Sequence, residues 1–162
     1  MKPTVYLETT VIGYLAMRGS NLLHVAANQQ MTRDWWDNHR GRYDVFVSRF
    51  VIGECSRGDP AAARERMACL EGIPLLQVPD DTILLAESLL AALRLPRRAA
   101  NDATHISIAA VNGIEYLLTW NCRHIANASF RPGIERVCRE MRYEPPVICT
   151  PQELMEINDV VF

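Results

Sequence analysis

Lysine is nearly missing from this chain. Lys2 is the single lysine among 17 basic residues, and the other 16 are arginine. With 19 acidic residues the net charge is −2, which argues against a broad cationic surface that collects nucleic acid by charge alone. Long apolar runs are missing too. No stretch approaches the roughly 20 residues that span a bilayer, and the opening Lys2-Pro3-Thr4-Val5-Tyr6-Leu7-Glu8 meets an acid where a secretory signal would continue apolar. A cytoplasmic protein with no membrane partner is the expectation. The five cysteines, Cys55, Cys69, Cys122, Cys138 and Cys149, are odd in number and contain no C-x-x-C pair. That excludes the signature of a disulfide framework or a zinc ribbon and predicts reduced, mostly buried thiols. No G-x-x-x-x-G-K-[ST] loop and no G-x-G-x-x-G turn follows a strand, so nucleotide-cofactor enzymes lose their main support.

What remains has the balance of a globular protein, 49% hydrophobic and 22% charged in 162 residues. The length suits one domain over residues 1–162 with a core large enough to need no covalent staple. Five short apolar runs rich in β-branched residues predict strands at Thr4–Leu7, Asp44–Ser48, Pro74–Val78, Glu115–Thr119 and Pro146–Thr150. Helical spacing fills the stretches between them: Asn21–His39, Ala61–Glu71, Asp81–Leu93, Asp102–Asn112 and Pro132–Arg142. Asp59-Pro60 and Thr150-Pro151-Gln152-Glu153 carry the signals of helix starts, the second with a capping-box glutamate. Strands alternating with helices predict an α/β fold, a three-layer α/β/α sandwich around a parallel sheet of about five strands.

In such a sheet, functional groups collect at the carboxyl ends of the strands. Here those ends are acidic. Glu8 closes the first strand, Glu54 follows the second within the apolar Phe50-Val51-Ile52-Gly53-Glu54-Cys55, and Asp102 opens the helix Asp102-Ala103-Thr104-His105-Ile106-Ser107. Asn121 lies beyond the fourth run in Leu117-Leu118-Thr119-Trp120-Asn121. Singly, Asp102 reads as a helix cap or a first-turn acid favoured by the helix dipole and Glu8 as an exposed strand end. Together, Glu8, Glu54 and Asp102 converge on one edge of a doubly wound sheet, where like charges repel unless a cation joins them. A hard ion such as Mg²⁺ or Mn²⁺ suits oxygen ligands without a histidine cage. It lowers the pKa of a bound water and neutralises a phosphate, the requirements of phosphodiester hydrolysis. Thr10 and Thr119 can orient these ligands from behind or serve as plain strand-end caps. The arginines near the site, Arg97 and Arg98, suit phosphate, as arginine's planar fork does generally. Solvated helix faces explain the same residues.

These segments resemble the PIN domain, especially VapC-type toxins of toxin-antitoxin pairs. Val5-Tyr6-Leu7-Glu8-Thr9-Thr10 is similar to the opening motif, an acid followed two residues later by Ser or Thr. Glu54 sits where the family has its glutamate. Asn101-Asp102-Ala103-Thr104-His105-Ile106-Ser107 is similar to the family's Asp-Ala-x-His-Ile helix, and Leu117-Leu118-Thr119-Trp120-Asn121 to the strand motif that normally ends in aspartate. The likeness runs from about residue 4 to about residue 150. It implies a ribonuclease that uses Mg²⁺ or Mn²⁺ held by Glu8, Glu54 and Asp102, with Asn121 assisting through its amide oxygen, a homodimer, and a cognate antitoxin. Two positions depart from the pattern. Glu8 stands for the usual aspartate and adds a methylene, and Asn121 replaces an acid and removes a negative charge.

Those departures motivate a second reading, a PIN-like domain that binds RNA or a protein without cutting, and a third, a structural subunit. A haloacid-dehalogenase-type phosphatase needs Asp-x-Asp at the end of the first strand, where this chain has Glu8-Thr9-Thr10. Cys122-Arg123-His124 lacks the partner pair of a soft-metal site or a thiol nucleophile. His105, one turn after Asp102, either touches substrate phosphate or packs in the core. Trp35 and Trp36 suit core or dimer interface better than base stacking.

Overall fold

The computed structural model describes residues 1–159. Its four strands are β1 (Thr4–Leu7), β2 (Asp44–Phe46), β3 (Tyr116–Leu118) and β4 (Val147–Cys149), paired in parallel in the order β2-β1-β3-β4. The register pairs Tyr6 with Phe46 on one side and with Leu117 on the other, and β3 continues with Leu118 opposite Cys149. Val5, Tyr6, Leu7, Leu117 and Leu118 are wholly buried, as in strands covered by helices on both faces.

The eight α-helices among the described residues are α1 (Thr9–Ala16), α2 (Leu23–Asp34), α3 (Arg49–Cys55), α4 (Pro60–Cys69), α5 (Asp80–Ala92), α6 (Ala100–Val111), α7 (Arg131–Glu140) and α8 (Pro151–Asp159). Helices α5, α6 and α7 pack together, while α1 packs on α2, α3 and α4, and α2 on α8. The architecture is α/β with an all-parallel sheet, consistent with a three-layer α/β/α sandwich.

The expected helix starts are present. Asp59 accepts the Ala62 N–H at 2.9 Å with Pro60 at the first helical position of α4. At α8 the Thr150 N–H donates to Glu153 Oε2 (2.8 Å) and the Glu153 N–H to Thr150 Oγ1 (3.3 Å), a reciprocal capping box.

The expected strand at Pro74–Val78 is not formed, so the sheet has four strands among the described residues rather than about five. Only a parallel bridge between Val47 and Leu75 survives, made by the Val47 N–H to the Pro74 carbonyl and the Leu76 N–H to the Val47 carbonyl. Pro74 and Pro79 supply no N–H, and Leu75 and Gln77 remain exposed, so the run is short of both ladder and cover. The long helix expected over Asn21–His39 stops being α-helical at Asp34. A π-helical turn, Trp35–His39, and a 3₁₀ turn, Arg40–Arg42, complete it. There Trp35 is fully buried, and Trp36 lies under the Arg40 guanidinium, 4.0 Å from the ring centroid.

Candidate active site

Strands β1 and β3 are neighbours, although the chain visits β2 on the other side of β1 between them. The connections therefore leave in opposite directions, and the carboxyl ends of β1 and β3 are the usual place for a ligand in an open parallel sheet. Glu8 and Thr119 stand at those ends.

Glu8 is the last extended residue before α1, held to β3 by its N–H bond to the Leu118 carbonyl (3.0 Å). Its carboxylate is buried, 3% exposed. Oε2 accepts from the Thr10 N–H (3.1 Å), from the Thr10 hydroxyl and from the Thr119 hydroxyl (2.7 Å). Each threonine oxygen also accepts a backbone N–H from the segment after β3, Trp120 onto Thr10 and Asn121 onto Thr119, both at 2.9 Å. With those N–H groups as donors, both hydroxyl protons must point at the acid. The two threonines thereby orient Glu8 and join the end of β1 to the end of β3. No hydrogen bond among the described residues uses Glu8 Oε1.

Glu54 is carried in by α3, whose start is capped by Ser48. Its Oε1 accepts from the Thr9 hydroxyl (3.1 Å) and lies 2.5 Å from His105 Nε2. His105 is buried on α6, and its Nδ1 meets Tyr6 Oη at 2.8 Å, which in turn meets Ser48 Oγ at 2.7 Å. A carboxylate only accepts, so Nε2 carries the proton toward Glu54. In a neutral ring Nδ1 then accepts from the Tyr6 hydroxyl, and in a charged ring it donates to the Tyr6 oxygen while the phenol donates to Ser48. Burial pushes the Tyr6 phenol far up, so it stays protonated and can donate. Ser48, Tyr6, His105 and Glu54 form a continuous hydrogen-bonded line.

Burial also pushes the Glu54 carboxyl up, but the hydrogen bond and charge of His105, the Thr9 hydroxyl and the Arg57 guanidinium outweigh it. The group is held below its ordinary value of 4.5. A carboxylate lowered on folding stabilises fully above its unfolded pKa, and that stability is lost as pH falls through the folded one. Urea midpoints taken at about pH 7 and about pH 3 are therefore expected to differ less in Glu54→Gln than in the unmodified chain. An equal acid-side drop in both would mean that His105 and Thr9 do not hold Glu54 ionised.

Asp102 does not open its helix. α6 begins at Ala100, which places Asp102 in the first turn. Its Oδ1 accepts from Asn121 Nδ2 (2.9 Å), and its Oδ2 lies 2.8 Å from His124 Nδ1. The Asn121 amide oxygen, read from the sequence as an aid to the ion, accepts the N–H groups of Arg123 (3.2 Å) and His124 (3.1 Å). One amide thus closes the turn after β3 and grips Asp102.

The residues expected at the site fall into two connected groups. Glu8, Thr10, Thr119, Asn121 and Asp102 form one hydrogen-bonded series, and Glu54 with His105 a second, joined to the first through Thr9 beside Glu8. Arg97 and Arg98 lie exposed in the 3₁₀ turn leading into α6. Sequence reasoning missed Thr9, Tyr6 and the engagement of His124. An Asn followed two and three residues later by N–H groups it can accept is an Asx-turn pattern, and that signal in Asn121-Cys122-Arg123-His124 would have flagged His124. Among the described residues, no group of three or more His, Cys, Asp and Glu side chains is arranged to hold a metal ion by itself, and no helix is long and apolar enough to cross a membrane. No protein-family model matches the chain, and a search of curated proteins returned no match.

Proposed function

We propose that this chain is a PIN-like, Mg²⁺- or Mn²⁺-dependent ribonuclease of the VapC type, working as a homodimer and silenced by a cognate antitoxin. The observation that carries the reading is the hydrogen-bonded series that links Glu8 through Thr119 and Asn121 to Asp102, with Glu54 tied to Thr9 beside Glu8.

The donor set suits a hard, water-rich ion. Glu8 Oε1 and Glu54 Oε2 accept no hydrogen bond among the described residues, while their other oxygens are anchored. Mg²⁺ is commonly bound by one or two carboxylates together with waters and substrate phosphate rather than by a closed protein cage. Such an ion, when bound, supplies a water of lowered pKa and neutralises phosphate charge.

The chain's own residues do the positioning. Thr10 and Thr119 fix the Glu8 carboxylate, leaving one oxygen for a ligand. His105, itself held by Tyr6, keeps Glu54 ionised and in place. Asn121 and His124 hold Asp102 from both sides, and the lone pairs left on its oxygens remain able to accept. A carboxylate of this set takes the proton of the attacking water.

The test is incubation of a mixed RNA pool with purified chain in Mn²⁺, in Mg²⁺ and in EDTA. Cutting in either metal that EDTA stops is the expected outcome, and intact RNA in both metals sinks the nuclease reading. The second reading, a PIN-like module that binds RNA or a protein without cutting, is favoured by the use of Asn121's amide oxygen within its own turn. It predicts binding of the pool without cleavage.

A further inference from the structure

We infer that the cleft beside Glu54 is a subsite for one base of single-stranded RNA, next to the phosphate under attack. The inference rests on the ribonuclease reading for its substrate and deepens it. The cleft, about 330 Å³, is lined by Arg49, Phe50, Gly53, Glu54, Arg57 and Asn101, at the low end of ligand-sized cavities. Phe50 and Glu54 lie one turn apart on α3 and so share a face. The aromatic ring and the candidate metal-binding carboxylate therefore look into the same space.

Three features fit a nucleotide there. Phe50 is only half-buried, and an accessible aromatic ring is the sequence-tolerant element by which proteins stack single-stranded bases. Arg49 lies over that ring, its guanidinium carbon 5.6 Å from the centroid. Neither Arg49 nor Arg57 forms an ion pair among the described residues, so both exposed guanidinium groups are available to phosphate or to the far face of a base. Asn101, exposed at the start of α6 and adjacent to Asp102, offers an amide donor and acceptor for a base edge.

Gly53 supplies an independent argument. It sits inside α3, where glycine weakens a helix relative to alanine. An added Cβ would meet nothing within 4 Å, and its backbone is not left-handed. The space beside it is therefore open to a ligand that approaches the helix.

The test is fluorescence anisotropy of a labelled single-stranded RNA pool, in EDTA so that the proposed reaction cannot proceed, with cutting in Mn²⁺ measured alongside. Phe50→Leu is expected to weaken binding roughly 5- to 100-fold, the loss of one base stack. Phe50→Tyr, which keeps a ring, is expected to bind as the unmodified chain does. Gly53→Leu fills the cleft with a good helix former, keeps the fold and is expected to weaken binding comparably. It decides the matter alone if Phe50→Leu does not fold. Equal RNA affinity in Gly53→Leu and the unmodified chain overturns the subsite, and if the unmodified chain still cuts RNA the nuclease reading stands without it. Binding that is lost in both variants from a chain that never cuts keeps the subsite and removes the nuclease. A chain that neither binds nor cuts RNA overturns both.

Discussion

Asp102→Asn is expected, on the proposed ribonuclease reading, to lower metal-dependent cutting of RNA by about 100-fold or more, while the chain stays folded. The local hydrogen bonds survive the change. The new amide keeps one acceptor oxygen for Asn121 Nδ2, and its nitrogen faces His124 Nδ1, which accepts in the alternative tautomer. Asp102 lies in the first turn of α6 rather than at its cap, so the lost interaction with the helix dipole costs about 0.3–1 kcal/mol. The functional loss is larger because a negative oxygen is removed from a proposed ligand set in which Asn121 brings no charge. The check pairs a cleavage time course in Mn²⁺ with a urea melt and with RNA anisotropy. Loss of cutting with stability and binding retained places Asp102 in the chemistry. Undiminished cutting by the variant removes it from the machinery.

His105→Leu is expected to show the largest structural effect among the site residues. The ring is 1% exposed and bridges Tyr6 Oη and Glu54 Oε1, at 2.8 and 2.5 Å. Leucine fills similar space but leaves the phenol with Ser48 alone and takes from Glu54 the main group that keeps it ionised. One charge-assisted and one neutral bond are lost in a buried setting, about 2–4 kcal/mol together. Tyr6→Phe breaks the same line one step further from the acid and is expected to cost about 1–2 kcal/mol. Urea unfolding of both variants and of the His105→Leu, Glu54→Gln pair measures the coupling directly. Additive losses in that pair would mean His105 is a core residue with no hold on Glu54. Of the two readings the sequence left open for His105, the structure shows the packed one, with Nε2 turned to Glu54 Oε1.

The strands that matter to the site were legible because they are short apolar runs ending in a polar residue. Thr4–Leu7 is found with its expected bounds, and the other three lie inside theirs. Pro74–Val78 carried the same apolar signal and is not a strand, because pairing depends on a neighbour and a cover that composition does not reveal. The capping signals at Asp59-Pro60 and Thr150–Glu153 worked because they are local: donor and acceptor lie within four residues. Asp102 was misplaced as a helix opener because Ala100 and Asn101 carry no start signal, and the preceding 3₁₀ turn feeds directly into α6.

By itself, then, the sequence determined the alternation of strands and helices and put Glu8, Glu54, Asp102 and Asn121 just after or between them, since periodicity and caps act over a few neighbouring residues. Only the tertiary structure decided what each acid meets. Thr119 reaches Glu8 across 111 positions and His105 reaches Glu54 across 51. Both meetings follow from the strand order β2-β1-β3-β4, which sets β1 between β2 and β3. That order comes from the packing of the whole chain, which no local pattern of residues encodes.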